Sequence, residues 1–150
     1  MLNGLHDLFS KFQHILIPLD FTERNDTVLQ AARDIVKETQ ARVSLIHVIE
    51  PIDDGDDAET QTFTQRLSNE AEEHLRERAS TFDDLDTTVI CENRVGKRNV
   101  EVVSYAIDQH VDLILLNSHL ITPETPERNT VSLSYQIALL APCAVLLLKS

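Results

Sequence analysis

The sequence predicts an α/β domain of the three-layer open type, with a parallel sheet carrying helices on both faces. Three observations lead there. Short apolar runs recur along the 150 residues, separated by longer amphipathic segments. The runs are continuous rather than alternating, as in strands buried on both sides. Crossovers between parallel strands are right-handed, so the intervening helices are shared between the two faces of the sheet.

Met1–Phe12 forms a short amphipathic extension with Leu2, Leu5, Leu8, Phe9 and Phe12 as its apolar residues. It is expected to be a helical turn packed on the body or on a neighbouring subunit. Residues 13–150 then make up one domain, without internal repeat, linker or low-complexity segment. The extension has no continuous apolar run of the secretory kind, and no stretch approaches membrane-spanning length. The expected location is the cytoplasm, with no membrane partner.

Ile15–Leu19 is the first strand, and Thr22, Asn25 or Asp26 is expected to cap the helix that follows. In that helix Val28, Leu29, Ala31, Ala32, Ile35 and Val36 share one face at 3.6-residue spacing. Val43–Ile49 is a β-branched second strand closed by Pro51. A loop rich in Asp and Gly over 53–57 precedes a charged helix from about Glu59 to Phe82. Val89–Cys91 belongs to the third strand. Gly96 marks a turn before a helix expected to bury Val100, Val103, Ala106 and Ile107. Leu113–Leu116 and Val145–Leu148 are the fourth and fifth strands, and the helix between them ends at Ala141-Pro142-Cys143.

Hydrophobic residues at 42% and charged residues at 25% describe a globular chain rather than a disordered one. Its net charge of −12 is concentrated: 13 acids against 3 bases between Glu50 and Asp86 account for −10 of it. Such a segment reads as a solvated loop and helix face, with a basic partner or adaptation to high salt as the functional alternatives. No basic stripe is present, so nucleic acid is not an expected partner.

Cys91 and Cys143 are the only cysteines and are expected to be buried, reduced thiols packing as small hydrophobes. Neither takes part in Cys/His metal-ligand spacing, so no metal site is expected. Of the six histidines, His47 reads as a satisfied strand histidine. His14 precedes the first strand, His74 lies on the charged helix and His110 near a helix end. His119 follows the fourth strand beside Ser118, and with Asp20 the pair offers the residue types of a nucleophile, base and orienter. The elbow glycines of a serine hydrolase and the P-loop of kinases and GTPases are both missing. No enzymatic activity is expected, and no catalytic residue is assigned.

Over nearly its whole length the chain resembles the universal stress protein family. The carriers are His14-Ile15-Leu16-Ile17-Pro18-Leu19-Asp20-Phe21-Thr22, Leu45-Ile46-His47-Val48, Asp112-Leu113-Ile114, and Ala141-Pro142-Cys143 with the apolar run after it. The resemblance implies a five-stranded parallel sheet of order 3-2-1-4-5 and a homodimer through the last strand. Val145–Leu148 would then lie at a sheet edge, where an apolar strand needs a partner.

Many members of the family bind ATP through a glycine pattern, G-x-x-G, nine residues, then G-S/T. Here the three glycine positions become Asn117, Leu120 and Val131, the spacer is ten residues, and only Ser132 is kept. Leucine and valine bring branched side chains where a backbone must approach a phosphate, and valine resists positive φ. The insert Thr122-Pro123-Glu124-Thr125-Pro126-Glu127 removes donors and adds two carboxylates, with Arg128 as the nearby cation.

The resemblance places Pro18, Asp20 and Val48 along a base and ribose pocket at the carboxyl ends of the first two strands. Asn117, Ser118 and Ser132 would stand on its phosphate side. For Asp20 a turn or cap role is the structural alternative, and for Val48 simple core packing. The expectation is a homodimeric, non-ATP-binding regulatory interaction module that holds no cofactor and has an unidentified protein partner. The alternative is an adenine-nucleotide sensor, for ATP or AMP, in which Ser118, Ser132 and Arg128 replace the glycine cradle.

Overall fold

A computed structural model describes residues 9–51, 57–118 and 132–149. In chain order the elements are β1 (His14–Pro18), α1 (Asn25–Thr39), β2 (Arg42–Ile49), α2 (Ala58–Ala79) with a 3-10 turn (Ser80–Phe82), β3 (Val89–Val95), α3 (Arg98–Asp108), β4 (Leu113–Ser118), α4 (Leu133–Leu140) and β5 (Ala144–Lys149). The five strands form one parallel sheet in the order β3-β2-β1-β4-β5.

The pleat divides the core in two. Ile15 and Ile17 of β1, Val43 and Leu45 of β2, and Leu113 and Leu115 of β4 face α1 and the Leu75–Phe82 end of the second helical segment. Their neighbours Leu16, Ile46, Val48, Ile114 and Leu116 face the opposite layer, where Val102, Tyr105 and Ala106 of α3 and Ile137 of α4 cover them. Burial on both sides is the physical reason these strands read as unbroken apolar runs.

Three expectations need correction. No side chain caps α1: its N-cap position is Arg24, without a cap hydrogen bond. Asn25 is instead buried, its Oδ1 accepting from the N–H of Asp20 (3.2 Å) and of Phe21 (2.8 Å). Its hydrogen bonding serves the turn before the helix, where Phe21 holds φ at 64°. In α3 the buried stripe is Val102, Tyr105 and Ala106, while Val100 (49% exposed) and Ile107 (54%) point outward. Two overlapping apolar stripes run along that helix, and the tyrosine was needed to choose between them.

The third correction concerns the thiols. Both cysteines are free, but Cys91 is exposed and Cys143 half-buried. Cys91 lies on the edge strand β3 and Cys143 immediately before the edge strand β5, so an apolar pattern there does not guarantee cover. Removal from water raises both thiol pKa values, Cys143 to about 11, with the charge of Asp112 adding to the effect.

Most of the N-terminal extension lies outside the described residues. Of its apolar side chains, Phe9 and Phe12 meet edge to face, ring centroids 6.2 Å apart, and pack against the α1 side of the core.

Candidate functional site

A crevice of about 330 Å³ opens at the carboxyl ends of β1, β2 and β4, between α3 and α4. Strand order dictates the place. β1 has β2 on one side and β4 on the other, and the connections leaving its two flanks diverge onto opposite faces of the sheet. The volume lies at the lower end of the ~300–1,000 Å³ usual for small-molecule sites.

Its floor is apolar: Ile46, Val48, Val102, Leu116 and Ile137. The β1 wall is Pro18, Leu19 and Asp20, with Asn25 and His47 beside it. Asn117 and then Ser132 and Ser134 form the opposite wall, and Arg98 stands at the start of α3.

The β1 wall is rigidly built. The Leu19 N–H donates to the Ile46 carbonyl at 2.8 Å, continuing the β1–β2 pairing past the strand end. Asp20 Oδ1 accepts from the Thr22 N–H (3.0 Å) and the Thr22 hydroxyl (2.7 Å). Partial burial opposes the charge of Asp20, but these bonds and Asn25 outweigh it and hold the carboxyl below its ordinary value. Asp20 is therefore both a turn residue and an ionised wall of the crevice.

His47 donates through Nδ1–H to the Leu19 carbonyl at 2.7 Å; a carbonyl can only accept, which fixes the tautomer of the neutral ring. Burial lowers its proton affinity and the nearby Arg98 charge adds to this, against the opposing pull of Leu19. The Phe21 ring stacks on the His47 ring at 4.3 Å and lies 5.0 Å from that of His74 on α2. This aromatic column ties the positive-φ turn to the charged helix.

On the other wall Asn117 Nδ2 donates to the Arg24 carbonyl at 2.6 Å, joining the end of β4 to the start of α1. Ser132 is the N-cap of α4, its Oγ accepting from the Tyr135 N–H at 3.3 Å. Of the six residues expected at the site, Pro18, Asp20, Val48, Asn117 and Ser132 line one crevice. Ser118 does not. It is 7% exposed beneath α4, where the Lys149 ammonium donates to its hydroxyl at 3.1 Å and Ser134 approaches at 3.5 Å.

His119, Leu120, Arg128 and Val131, with the proline-containing insert, lie outside the described residues. Among the described residues no hydroxyl is hydrogen-bonded to His47, so the crevice holds no nucleophile–base pair built on that ring. The Ser118–Lys149 pair has the residue types for one, but its hydroxyl is buried away from the crevice. No group of three or more metal-ligating side chains occurs among the described residues, and no helix there is long and apolar enough to cross a membrane.

Sequence reasoning missed His47, Arg98 and Ser134 as lining residues. His47 read as a satisfied strand histidine, which it is, but it lies two positions before the strand end at Ile49 and also reaches the rim. Arg98 follows a turn on the far side of β2, and only the packing of α3 against the sheet brings it to the β1 end.

The family model described as the Universal stress protein family matches residues 11–149. A universal stress protein A homolog of Haemophilus influenzae is 30% identical over 114 residues, covering 72% of this chain and 78% of that protein. UspA of Lactobacillus plantarum superposes with a TM-score of 0.77 at 19% identity, over 91% of this chain and 97% of its own. A universal stress protein of Archaeoglobus fulgidus in complex with dAMP superposes with a TM-score of 0.64 at 16% identity, over 91% and 97% of the two chains.

Proposed function

The chain belongs to the universal stress protein family, and from that premise we propose that it is a non-catalytic regulatory module of the branch that does not hold ATP. One observation carries the reading. The strand side of the crevice is complete, whereas the sequence on its phosphate side has no glycine from Lys97 to Ser150 and adds two prolines and two carboxylates after Ile121. Triphosphate recognition in a glycine loop depends on backbone N–H groups that can close around the anion. Such a loop is not encoded here.

A second reading is favoured by the crevice itself. Its apolar floor and the Asp20 carboxylate suit a flat, hydroxyl-bearing ligand of nucleoside size, and a relative of the same fold binds dAMP. A small ligand of this kind would then be the signal the module senses. Calorimetric titration with ATP, AMP and adenosine in the presence of Mg²⁺ tests both. Micromolar ATP binding overturns the first reading. Binding of adenosine or AMP without ATP supports the second.

The regulatory unit is proposed to be a homodimer through β5, which is an edge strand with Leu146 exposed. Leu139 (66% exposed) and Leu140 (57%) at the adjoining end of α4 enlarge the apolar area. A two-fold partner strand would satisfy the open backbone groups of β5 and cover these leucines. Light scattering behind size exclusion tests this; a monomer at micromolar concentration sinks it.

A further inference from the structure

We propose that Arg98 is the residue through which the crevice reads charge: it binds a single anionic group on the ligand, from the α3 wall rather than from the 119–131 segment. This rests on the crevice being a site for a nucleoside-sized ligand, as proposed above, and adds the chemistry of that ligand.

Arg98 is the one arginine or lysine among the described lining residues. Folding gives it little reason to be there. It is the first residue of α3, where a cation faces the positive end of the helix dipole, and Lys97 at the N-cap position compounds the cost. The Glu50 carboxylate accepts from the Arg98 backbone N–H at 2.8 Å, which steadies the helix start through the main chain. Among the described residues no carboxylate lies within 4.0 Å of the guanidinium, which is absent from every ion pair there.

Its neighbour Arg94 shows what a structurally used arginine looks like in this region. Arg94 pairs with Glu92 (3.1 Å) and Glu101 (3.4 Å) and lies over the Tyr105 ring. Among the described residues Arg98 does none of this, and its charge bears on His47 inside the crevice.

The chemistry then follows from the walls. A guanidinium presents a planar fork of donors matched to carboxylate and phosphate oxygens. Apolar walls concentrate its field in the cleft. The ionised Asp20 stands on the β1 wall, accepts hydroxyl or amine donors, and repels an anion. A ligand meeting both has a flat apolar body, donor groups toward β1 and one anionic group toward α3. A nucleoside monophosphate belongs to that class.

The test compares AMP with adenosine on the full-length protein and on Arg98→Gln and Arg98→Lys. A charge-assisted contact is worth about 1.5–3 kcal/mol, so AMP should bind about 10- to 150-fold more tightly than adenosine. Arg98→Gln should bring the AMP-to-adenosine affinity ratio down to about one, and Arg98→Lys should restore part of the preference. A second readout needs no nucleoside: inorganic phosphate followed by NMR of the His47 ring. An anion on Arg98 should raise the His47 pKa in the unaltered protein and not in Arg98→Gln. Adenosine binding with an AMP preference indifferent to Arg98 overturns the inference and leaves the crevice reading standing. Absence of adenosine binding overturns the nucleoside reading. Absence of any phosphate effect on His47 overturns the role of Arg98.

Discussion

Substituting Ser44 by alanine should destabilise the protein far more than the loss of one hydroxyl suggests. Ser44 is fully buried on β2, its Oγ 2.6 Å from His14 Nε2 and 2.8 Å from the Tyr105 hydroxyl. His14 Nδ1 lies 3.2 Å from the Gln109 carbonyl, which can only accept. The proton is therefore on Nδ1, Nε2 must accept, Ser44 must donate to it, and the Tyr105 hydroxyl donates to Ser44. An Arg42 nitrogen 3.4 Å from Nδ1 is too distant to reverse this order. His14 is 2% exposed and Tyr105 3%, so water does not replace the missing group.

Ser44→Ala then leaves two buried groups unsatisfied, each costing about 1–3 kcal/mol, or about 2–4 kcal/mol together with partial relaxation. For a chain of this length that lowers Tm by roughly 4–16 °C. Tyr105→Phe removes only one donor and should cost about 1 kcal/mol. In the double variant Tyr105 no longer has a stranded hydroxyl, so its loss should fall short of the sum by about 1–2 kcal/mol. Urea unfolding of the four proteins measures the cycle. Additivity within about 0.5 kcal/mol, or a Ser44→Ala loss below about 1 kcal/mol, would refute the chain of donors described here.

Acidification from pH 7.5 to 5 should lower stability. Burial depresses the folded-state pKa of His14 and His47 below 6.5, so the unfolded chain takes up protons first. Their contribution is complete above 6.5 and is lost as pH falls through the window beneath it, His14 alone giving at most about 1.4 kcal/mol per pH unit. The carboxylates with lowered pKa act only in more acidic solution, so a flat unfolding midpoint over this range would contradict the reading. Asp84, held to about 2 chiefly by its hydrogen bonds from Arg33, should return toward 3.8 in Arg33→Ala when followed by carboxyl-carbon NMR. Leu115→Ala, at a fully buried position of β4, should cost about 2–5 kcal/mol in the same urea assay.

The central strands were legible because burial on both faces leaves apolar residues at Ile15–Ile17, Val43–Ile46 and Leu113–Leu116, with Ser44, satisfied by His14 and Tyr105, as the exception. The edges were less so. Cys91 read as interior, yet β3 is flanked on one side only and an apolar pattern does not state which strand is last. For Val145–Leu148 it was the family resemblance that supplied the edge position, and β5 lies there. Asn25 illustrates a different difficulty. Its residue type fits an N-cap, but the turn ahead of it, with Phe21 at positive φ, competes for the same oxygen and wins. Half of the crevice was visible through the family resemblance, which placed Pro18, Asp20 and Val48 at the carboxyl ends of the first two strands, and the crevice lies there. Arg98 belongs to an element two crossovers away, and nothing local marks its arrival.

What distinguishes this crevice is that its existence and its chemistry have separate origins. The order β3-β2-β1-β4-β5 opens a cleft beside β1 whatever residues follow β4, because the divergence of the crossovers makes it. Loss of the glycines therefore alters what can be gripped and does not close the cleft. Asn117 bears this out physically: standing at the first glycine position, it spends its amide on the Arg24 carbonyl and braces the mouth of the cleft against α1. With that wall turned to structural use and Ser118 tucked beneath α4, the charged side chains lining the crevice among the described residues are Asp20 on the β1 wall and Arg98 at the start of α3, with an apolar floor between the walls. A cleft so polarised favours a ligand with one negative end over one with a long anionic tail, because a tail that followed the Asn117 wall would meet no cation there among the described residues.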